Sequence, residues 1–381
     1  MSKFDHTVGK NNMSKSLKIG IDARLTYYRT GGISTYIIRL IQNLHKLDQH
    51  NQYRIIESRK IQNSVSNGFP NAKVWTPSHH RIEKYALSVE LMRFGFDVFH
   101  TTDFIPPLRG GKRHVVSIHD LSFLHYPEFL TEESRRYYND QIQYAVRHAD
   151  HILTISEHSK RDLVSLLGVP PEKITVQLLA ADEKFHPLRN DLVVQVRKQL
   201  ELPEQYLLFV GTLEPRKNIL GLVEAYVQLT RQMSNAPSLV IAGKAGWNFE
   251  ETQEKINAFQ LGNRLIWREN ISQEQLPAVY NGASLLVIPS FYEGFGLTAL
   301  EAMACGTIPI VSNRSSLPEV VGDVGLQINP DDPTEIAQAF EYALTHPEWQ
   351  IEQQQLALQR AQHFNWEDTA RIALETYKAL A

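Results

Sequence analysis

Short apolar runs alternate with longer stretches at helical spacing along almost the whole chain. The runs at 17–22, 53–56, 74–75, 98–100, 115–118, 152–155 and 174–176 read as buried strands, because they are apolar and bounded by turn or polar residues. Between the first two, Ile33, Tyr36, Ile37, Leu40, Ile41, Leu44 and Leu47 share one face of a helix. Segments 82–94 and 133–149 show the same period. The pattern restarts after a polar stretch with a proline at each end and one short helix. Strands are then expected at 206–210, 239–242, 264–267, 285–288, 308–311 and 325–328, with helices from Ile219, Leu297, Thr334, Gln350 and Trp366. Such alternation predicts an α/β protein whose parallel sheets are covered on both faces, with ligands beyond the carboxyl ends of the strands. The expected organisation is a polar, disordered tail (1–16), a first domain (17–188), a linker (189–203), a second domain (204–365) and a closing helix (366–381).

Length and composition fit this picture. A chain of 381 residues that is 43% hydrophobic and 21% charged can fill two cores. A net charge of −3 supplies no basic field for nucleic acid. The single cysteine, Cys305, rules out an internal disulfide and reads as a small packing residue. The first 16 residues lack the apolar segment of a secretory signal, and no run is long enough to span a bilayer. A cytoplasmic location is therefore expected.

Candidate chemistry concentrates at strand ends. After the run 285–288 comes a loop with Glu293, Gly294 and Gly296, and then the helix that carries Glu301. Glycines at a helix start let main-chain amides converge on an anion, which the helix dipole also favours. Glu293 and Glu301 bracket that nest. Phosphate-binding amides beside hydroxyl-binding carboxylates suit a nucleotide sugar. Gly31 and Gly32 form a second glycine turn before a helix, without the G-x-G-x-x-G dinucleotide fingerprint. Gly211 ends another strand, and Arg216 and Lys217 follow it, a cationic pair placed for phosphate. In the first half, His100 and Asp103, His119 and Asp120, and Ser156 stand at strand ends, Ser156 also as a helix cap. Arg81, Lys84, Arg93, Arg109, Lys112, Arg113, Arg135 and Arg136 read as scattered surface charge, or else as a basic rim for a phosphate-bearing or lipid-linked acceptor.

Glu293, Gly294, Phe295, Gly296, Leu297 and Glu301, with the strand before them and the AMACGTIPIV run after, resemble the E-x7-E signature of the family-4 retaining glycosyltransferases. The GTLEPRKN string resembles that family's diphosphate-binding segment, and HDLSFLHYPE its mannosyltransferase-like branch. The resemblance implies the GT-B fold: two Rossmann-like domains facing a central cleft, acceptor on the first, nucleotide sugar on the second, with the terminal helix packed back on the first. It implies Glu293 near the donor sugar, the amides from Gly294 to Leu297 on the diphosphate and Glu301 on the ribose. It places Arg216 and Lys217 on the diphosphate and His119 beside the reacting sugar carbon. Gly31 and Gly32 would approach the phosphates; Gly211, Gly243 and Lys244 would line the nucleotide pocket; Asn270 and Ile271 would read the base. His100, Asp103, Asp120 and Ser156 fall on the acceptor side.

The implied activity moves a hexose, mannose favoured, from a nucleoside-diphosphate sugar to a glycan or lipid-linked acceptor with retention of configuration. GDP-mannose is the favoured donor and a UDP-sugar stays open. Neither a cofactor nor a metal is expected, in line with the missing D-x-D motif, and contact with the inner face of the membrane is left open. The chain departs from the family at Leu178–Asp182, where a Pro-Asn-Gly-Val-Asp-like turn is usual, and at Arg268–Glu269, where a glycine is usual. A nucleotide-sugar epimerase and a silent nucleotide-sugar-binding module are the alternatives on the same architecture.

Overall fold

The computed structural model describes residues 15–28, 31–246 and 249–381. The expected tail lies outside these residues as far as position 14, as do Arg29 and Thr30 of the first glycine turn. Ser16, assigned to the tail, is already tied down, its hydroxyl donating to the His50 carbonyl at 2.8 Å.

Seven strands form the first sheet: β1 (Lys18–Asp22), β2 (Gln52–Ser58), β3 (Asn71–Val74), β4 (Phe96–Thr101), β5 (Gly111–Ile118), β6 (His151–Thr154) and β7 (Ile174–Val176), in the order 3-2-1-4-5-6-7. Six form the second: β8 (Tyr206–Val210), β9 (Ser238–Ala242), β10 (Leu265–Arg268), β11 (Leu285–Ile288), β12 (Ile308–Ser312) and β13 (Leu326–Ile328), in the order 10-9-8-11-12-13. Every strand pair is parallel. Buried parallel strands need apolar residues on both faces, and Leu285–Ile288 is buried at every position.

These orders decide where a ligand can sit. Strand order reverses between β1 and β4 in one sheet and between β8 and β11 in the other, opening a crevice at the strands' carboxyl ends. The loops after β8 and β11 are the GTLEPRKN and E-x7-E segments, so the two strongest motifs meet at one switch point.

The helix Gly32–Leu47 buries Tyr36, Ile37, Leu40, Ile41 and Leu44 against the first sheet. The terminal helix Trp366–Leu380 lies across it, burying Ala370, Ala373, Leu374 and Tyr377 in the same core. Thr369 Oγ1 donates to the Leu178 carbonyl at 2.6 Å and fixes the crossing. Removing a Leu or Tyr side chain of this kind from water is worth about 1.5–3 kcal/mol, enough to hold a terminus that has no sheet to join. Within the polar stretch 189–203, the helix Asn190–Gln199 docks on the helix Leu276–Asn281, burying Val193.

Candidate active site

Four charged side chains meet where the loops after β8 and β11 touch. Glu293 Oε1 accepts from Lys217 Nζ at 2.6 Å and from Ser290 Oγ at 2.7 Å. Its Oε2 accepts from Arg216 Nη1 at 3.1 Å, and that nitrogen also donates to the Tyr292 carbonyl at 2.9 Å. Glu214, which the sequence did not mark, holds Arg216 Nη2 at 2.5 Å. The Phe291 amide donates to the Arg216 carbonyl at 2.8 Å, so main chain joins the loops as well. Burial opposes ionisation of Glu293, but Lys217 and Arg216 outweigh it and bring its pKa down to about 2. Burial and the neighbouring Arg216 push Lys217 down against the pull of Glu293. Two cations and two carboxylates cancel. What remains for an anion is the cations' unused donor hydrogens.

The glycine turn supplies further donors. Gly296 has φ 98°, a left-handed conformation, and caps the helix Leu297–Ala304. The first intrahelical bond runs from Ala299 to Gly296, so the Leu297 and Thr298 amides precede it and lack helical partners. A Cβ on Gly296 would come within 2.6 Å of Leu317 Cδ2. The Glu293 amide donates to Ser315 Oγ at 2.9 Å and its carbonyl accepts from Ser316 Oγ at 2.7 Å, which fixes the loop. Phe295 is buried and packs edge-on against Phe364.

Glu301, one turn into the helix Leu297–Ala304, is half-buried and accepts from Tyr280 Oη at 2.8 Å. Burial raises its pKa to about 7, only partly countered by the phenol. Tyr280 is a second partner the sequence did not mark; only its apolar spacing shows there.

Across the cleft, His119 is buried and its Nε2 bonds the Thr102 carbonyl at 2.9 Å. A carbonyl only accepts, so Nε2 is the donor of this bond, and the ring's other nitrogen, Nδ1, is left for a ligand. Asp120 Oδ1 accepts from the amide and hydroxyl of Ser122, at 2.9 and 2.7 Å. Asp103 bonds His79 Nε2 at 2.6 Å. Burial would raise the Asp103 pKa; the bond to His79 and its charge bring it below the usual range. These residues line a cleft of about 780 Å³ together with Gly32, Phe104, Phe123, Tyr126, Tyr138, Thr212, Glu214, Arg216 and Lys217.

Two residues expected on the acceptor side lie elsewhere. His100 is fully buried between Tyr377 Oη (2.6 Å) and Ser117 Oγ (2.8 Å), where burial drives its pKa down to about 3. Its place on β4 turns it under the terminal helix, so it joins that helix to the sheet. Ser156 is also fully buried and caps the helix Glu157–Leu167, accepting from the Ser159 amide at 3.0 Å.

The remaining positions are spread more widely. Gly31, at φ 125°, and Gly32 open the helix Gly32–Leu47 with nothing within 4 Å of an added Cβ. Gly243 follows β9, where a Cβ would collide with the Gly211 carbonyl, and Lys244 beside it is exposed. Asn270 and Ile271 follow the edge strand β10, Asn270 exposed and Ile271 packed on the core that contains Tyr280. Among the described residues, the one group at metal-ligand spacing is His125, His158 and Asp162.

Residues 30–179 match the family described as Glycosyltransferase Family 4, and residues 195–361 the family described as Glycosyl transferases group 1. The chain is 33% identical to O-antigen chain mannosyltransferase B of Escherichia coli, over 74% of each chain. Sucrose-phosphate synthase from Thermosynechococcus elongatus superposes with a TM-score of 0.77 at 22% identity, covering 96% of this chain and 99% of that one. Anabaena HepE in complex with UDP-glucose gives 0.74 at 16% identity, covering 95% and 100%. The two structural likenesses speak for the fold, and the mannosyltransferase relative spans both sheets. This chain therefore belongs to the family-4 glycosyltransferases of GT-B fold, in their mannosyltransferase-like branch, and is a hexosyltransferase.

Proposed function

We propose that the enzyme binds a nucleoside-diphosphate sugar at the second switch point and transfers its hexose, with retention, to a hydroxyl of a glycan or lipid-linked acceptor in the cleft. GDP-mannose is the favoured donor, supported by the HDLSFLHYPE segment and the mannosyltransferase relative. The UDP-glucose held by the structural neighbour HepE supports a nucleotide-sugar site on this fold. The observation that carries the reading is the convergence of Arg216 and Lys217 on Glu293 beside the Gly294–Leu297 turn.

As the bond from the sugar's anomeric carbon to the diphosphate oxygen breaks, negative charge collects on the β-phosphate. Arg216, Lys217 and the Leu297 and Thr298 amides stabilise it, a term that grows as charge develops and so lowers the barrier. Glu293 holds both cations in place before the substrate arrives. Glu301 takes a ribose hydroxyl, and His119 orients the sugar at the reacting face. The acceptor hydroxyl gives its proton to the departing diphosphate oxygen as the new glycosidic bond forms. Closure of the cleft excludes water, which would otherwise take the hexose.

The test is transfer by Arg216→Ala/Lys217→Ala and by Glu293→Ala, each with a folding control, alongside thermal stabilisation by GDP, UDP, TDP and ADP. A diphosphate at 100 times its dissociation constant adds about 2.7 kcal/mol. Unchanged transfer in both variants overturns the assignment.

A further inference from the structure

A surface helix is normally apolar towards the core and polar towards water. The helix Glu83–Leu91 is apolar on both sides. Leu87 and Leu91 face inwards and join Ile56, Val74, Phe96 and Phe99. Its outer side presents Ile82, Tyr85, Val89 and Met92, at 56, 57, 66 and 62% exposure. At 3.6 residues per turn these four fall within about 80° of arc. Trp75, 70% exposed, is tied to the same helix through its amide, which donates to Glu90 at 2.8 Å. Exposed apolar groups that gather this way mark a surface for a partner or a membrane.

The surrounding charges select between them. Arg93 flanks the stripe and is exposed, while Arg81 at the other end is paired with Glu133. Arg59 lies over the Trp75 ring at 3.6 Å, Arg93 over Phe94 at 4.7 Å and Lys84 over Tyr85 at 5.5 Å. The nearby acids are engaged. Glu90 accepts from the Trp75 and Thr76 amides, Glu83 is buried against Arg24, and Glu133 meets Arg81. Apolar anchors rimmed by cations match an anionic bilayer, where the side chains enter the headgroup boundary and the cations meet lipid phosphates.

The patch adjoins the cleft. Ile82 precedes Glu83, whose carboxylate accepts from the His79 amide at 2.6 Å, and His79 lines the cleft with Asp103. We propose that this face docks the enzyme on an anionic membrane surface and thereby presents the cleft to a lipid-borne acceptor. The docking stands on the patch alone; its purpose rests on the glycosyl-transfer reading above.

The test mixes the full chain with phosphatidylcholine vesicles, with and without phosphatidylglycerol. The wild type is expected to sediment with the anionic vesicles, and Val89→Asp/Met92→Asp about tenfold less. Arg59→Glu/Arg93→Glu is expected to lose the preference for anionic lipid. In both variants, stabilisation by a nucleoside diphosphate stays as in the wild type, which shows that they fold. Equal, weak sedimentation of the wild type with both vesicle types overturns docking. So does a dimer in sedimentation velocity that Val89→Asp dissolves, which assigns the patch to a second copy. If no nucleoside diphosphate stabilises the wild type, the transfer reading fails by itself and the vesicle result still decides docking.

Discussion

Gly294 lies against the main chain of His119: a Cβ built on it would stand 2.9 Å from the His119 carbonyl oxygen and 2.9 Å from Asp120 Cβ. The signature turn of one domain thus rests on the strand-end loop of the other. Backbone cannot yield as a side chain can, so an added methyl has to move the domains apart. Overpacking of this kind costs about 1–3 kcal/mol. Gly294→Ala is expected to lower kcat/KM about tenfold to a hundredfold, because the site is assembled across this contact. Binding of nucleoside diphosphate, which the proposed function assigns to the second domain alone, is expected to change far less. Steady-state kinetics with calorimetry of the diphosphate separates the two.

Glu293→Gln removes the charge that two half-buried cations share. Breaking a buried pair from one side costs about 3–5 kcal/mol, because the remaining charges lose their partner. The Glu293 pKa of about 2 lies below its unfolded value, so its stabilisation is full above pH 4.5 and is lost as pH falls towards 2. The variant is expected to melt lower than wild type at neutral pH. It is also expected to gain more from bound nucleoside diphosphate, whose anion replaces the missing carboxylate. Calorimetric scans with and without diphosphate check this; an equal gain in both proteins removes the cations from the diphosphate site.

Glu301 titrates the other way. Its folded pKa of about 7 lies above the unfolded 4.5, so its contribution is full below pH 4.5 and is lost as pH rises through 7. Wild type is therefore expected to lose stability relative to Glu301→Gln between pH 5 and pH 8 (about the two ends of that window). The glutamine oxygen can still accept from Tyr280, so the comparison isolates the charge. Parallel unfolding curves for the two proteins across this range would contradict it.

Strand runs such as 285–288 and the face from Tyr36 to Leu44 were legible because burial demands apolar residues whatever their partners. Gly294 and Gly296 were legible because few other residues fit a left-handed or sterically closed position. Glu214, Tyr280 and Tyr292 were not. Each acts through a partner distant in sequence, and a polar atom on an otherwise apolar position shows no period. His100 misled for the related reason that the end of a strand and the edge of a cleft coincide in one dimension only. The short helices Leu276–Asn281 and Leu317–Val321 lack the turns needed to display a stripe. Segment 82–94 showed helical spacing, and only the fold reveals that Leu87 and Leu91 occupy the core while Ile82, Tyr85, Val89 and Met92 stay outside.

A polar cluster also joins the domains. Tyr292 Oη, from the signature loop, donates to Asp162 Oδ2 at 2.7 Å, and His125 Nε2 bonds the same oxygen at 2.9 Å. Nearby, Glu319 accepts from the Glu157 and His158 amides at 3.1 and 3.3 Å, capping a first-domain helix from the second domain. The bond to Asp162 raises the His125 pKa, only partly offset by burial. A raised histidine stabilises below its unfolded pKa, and that stabilisation is lost as pH rises through the folded one. His125→Gln is therefore expected to cost more stability at acid pH than at alkaline pH, where the wild-type ring is neutral too. Tyr292→Phe keeps the ring packing on His125, whose centroid is 5.1 Å away, and removes only the phenol. It leaves Asp162 with the histidines, so the His125→Gln cost should grow in the Tyr292→Phe background, and most at low pH. A double-mutant cycle of unfolding free energies at two pH values measures that coupling, and a pH-independent zero would show that the two groups do not act on one carboxylate.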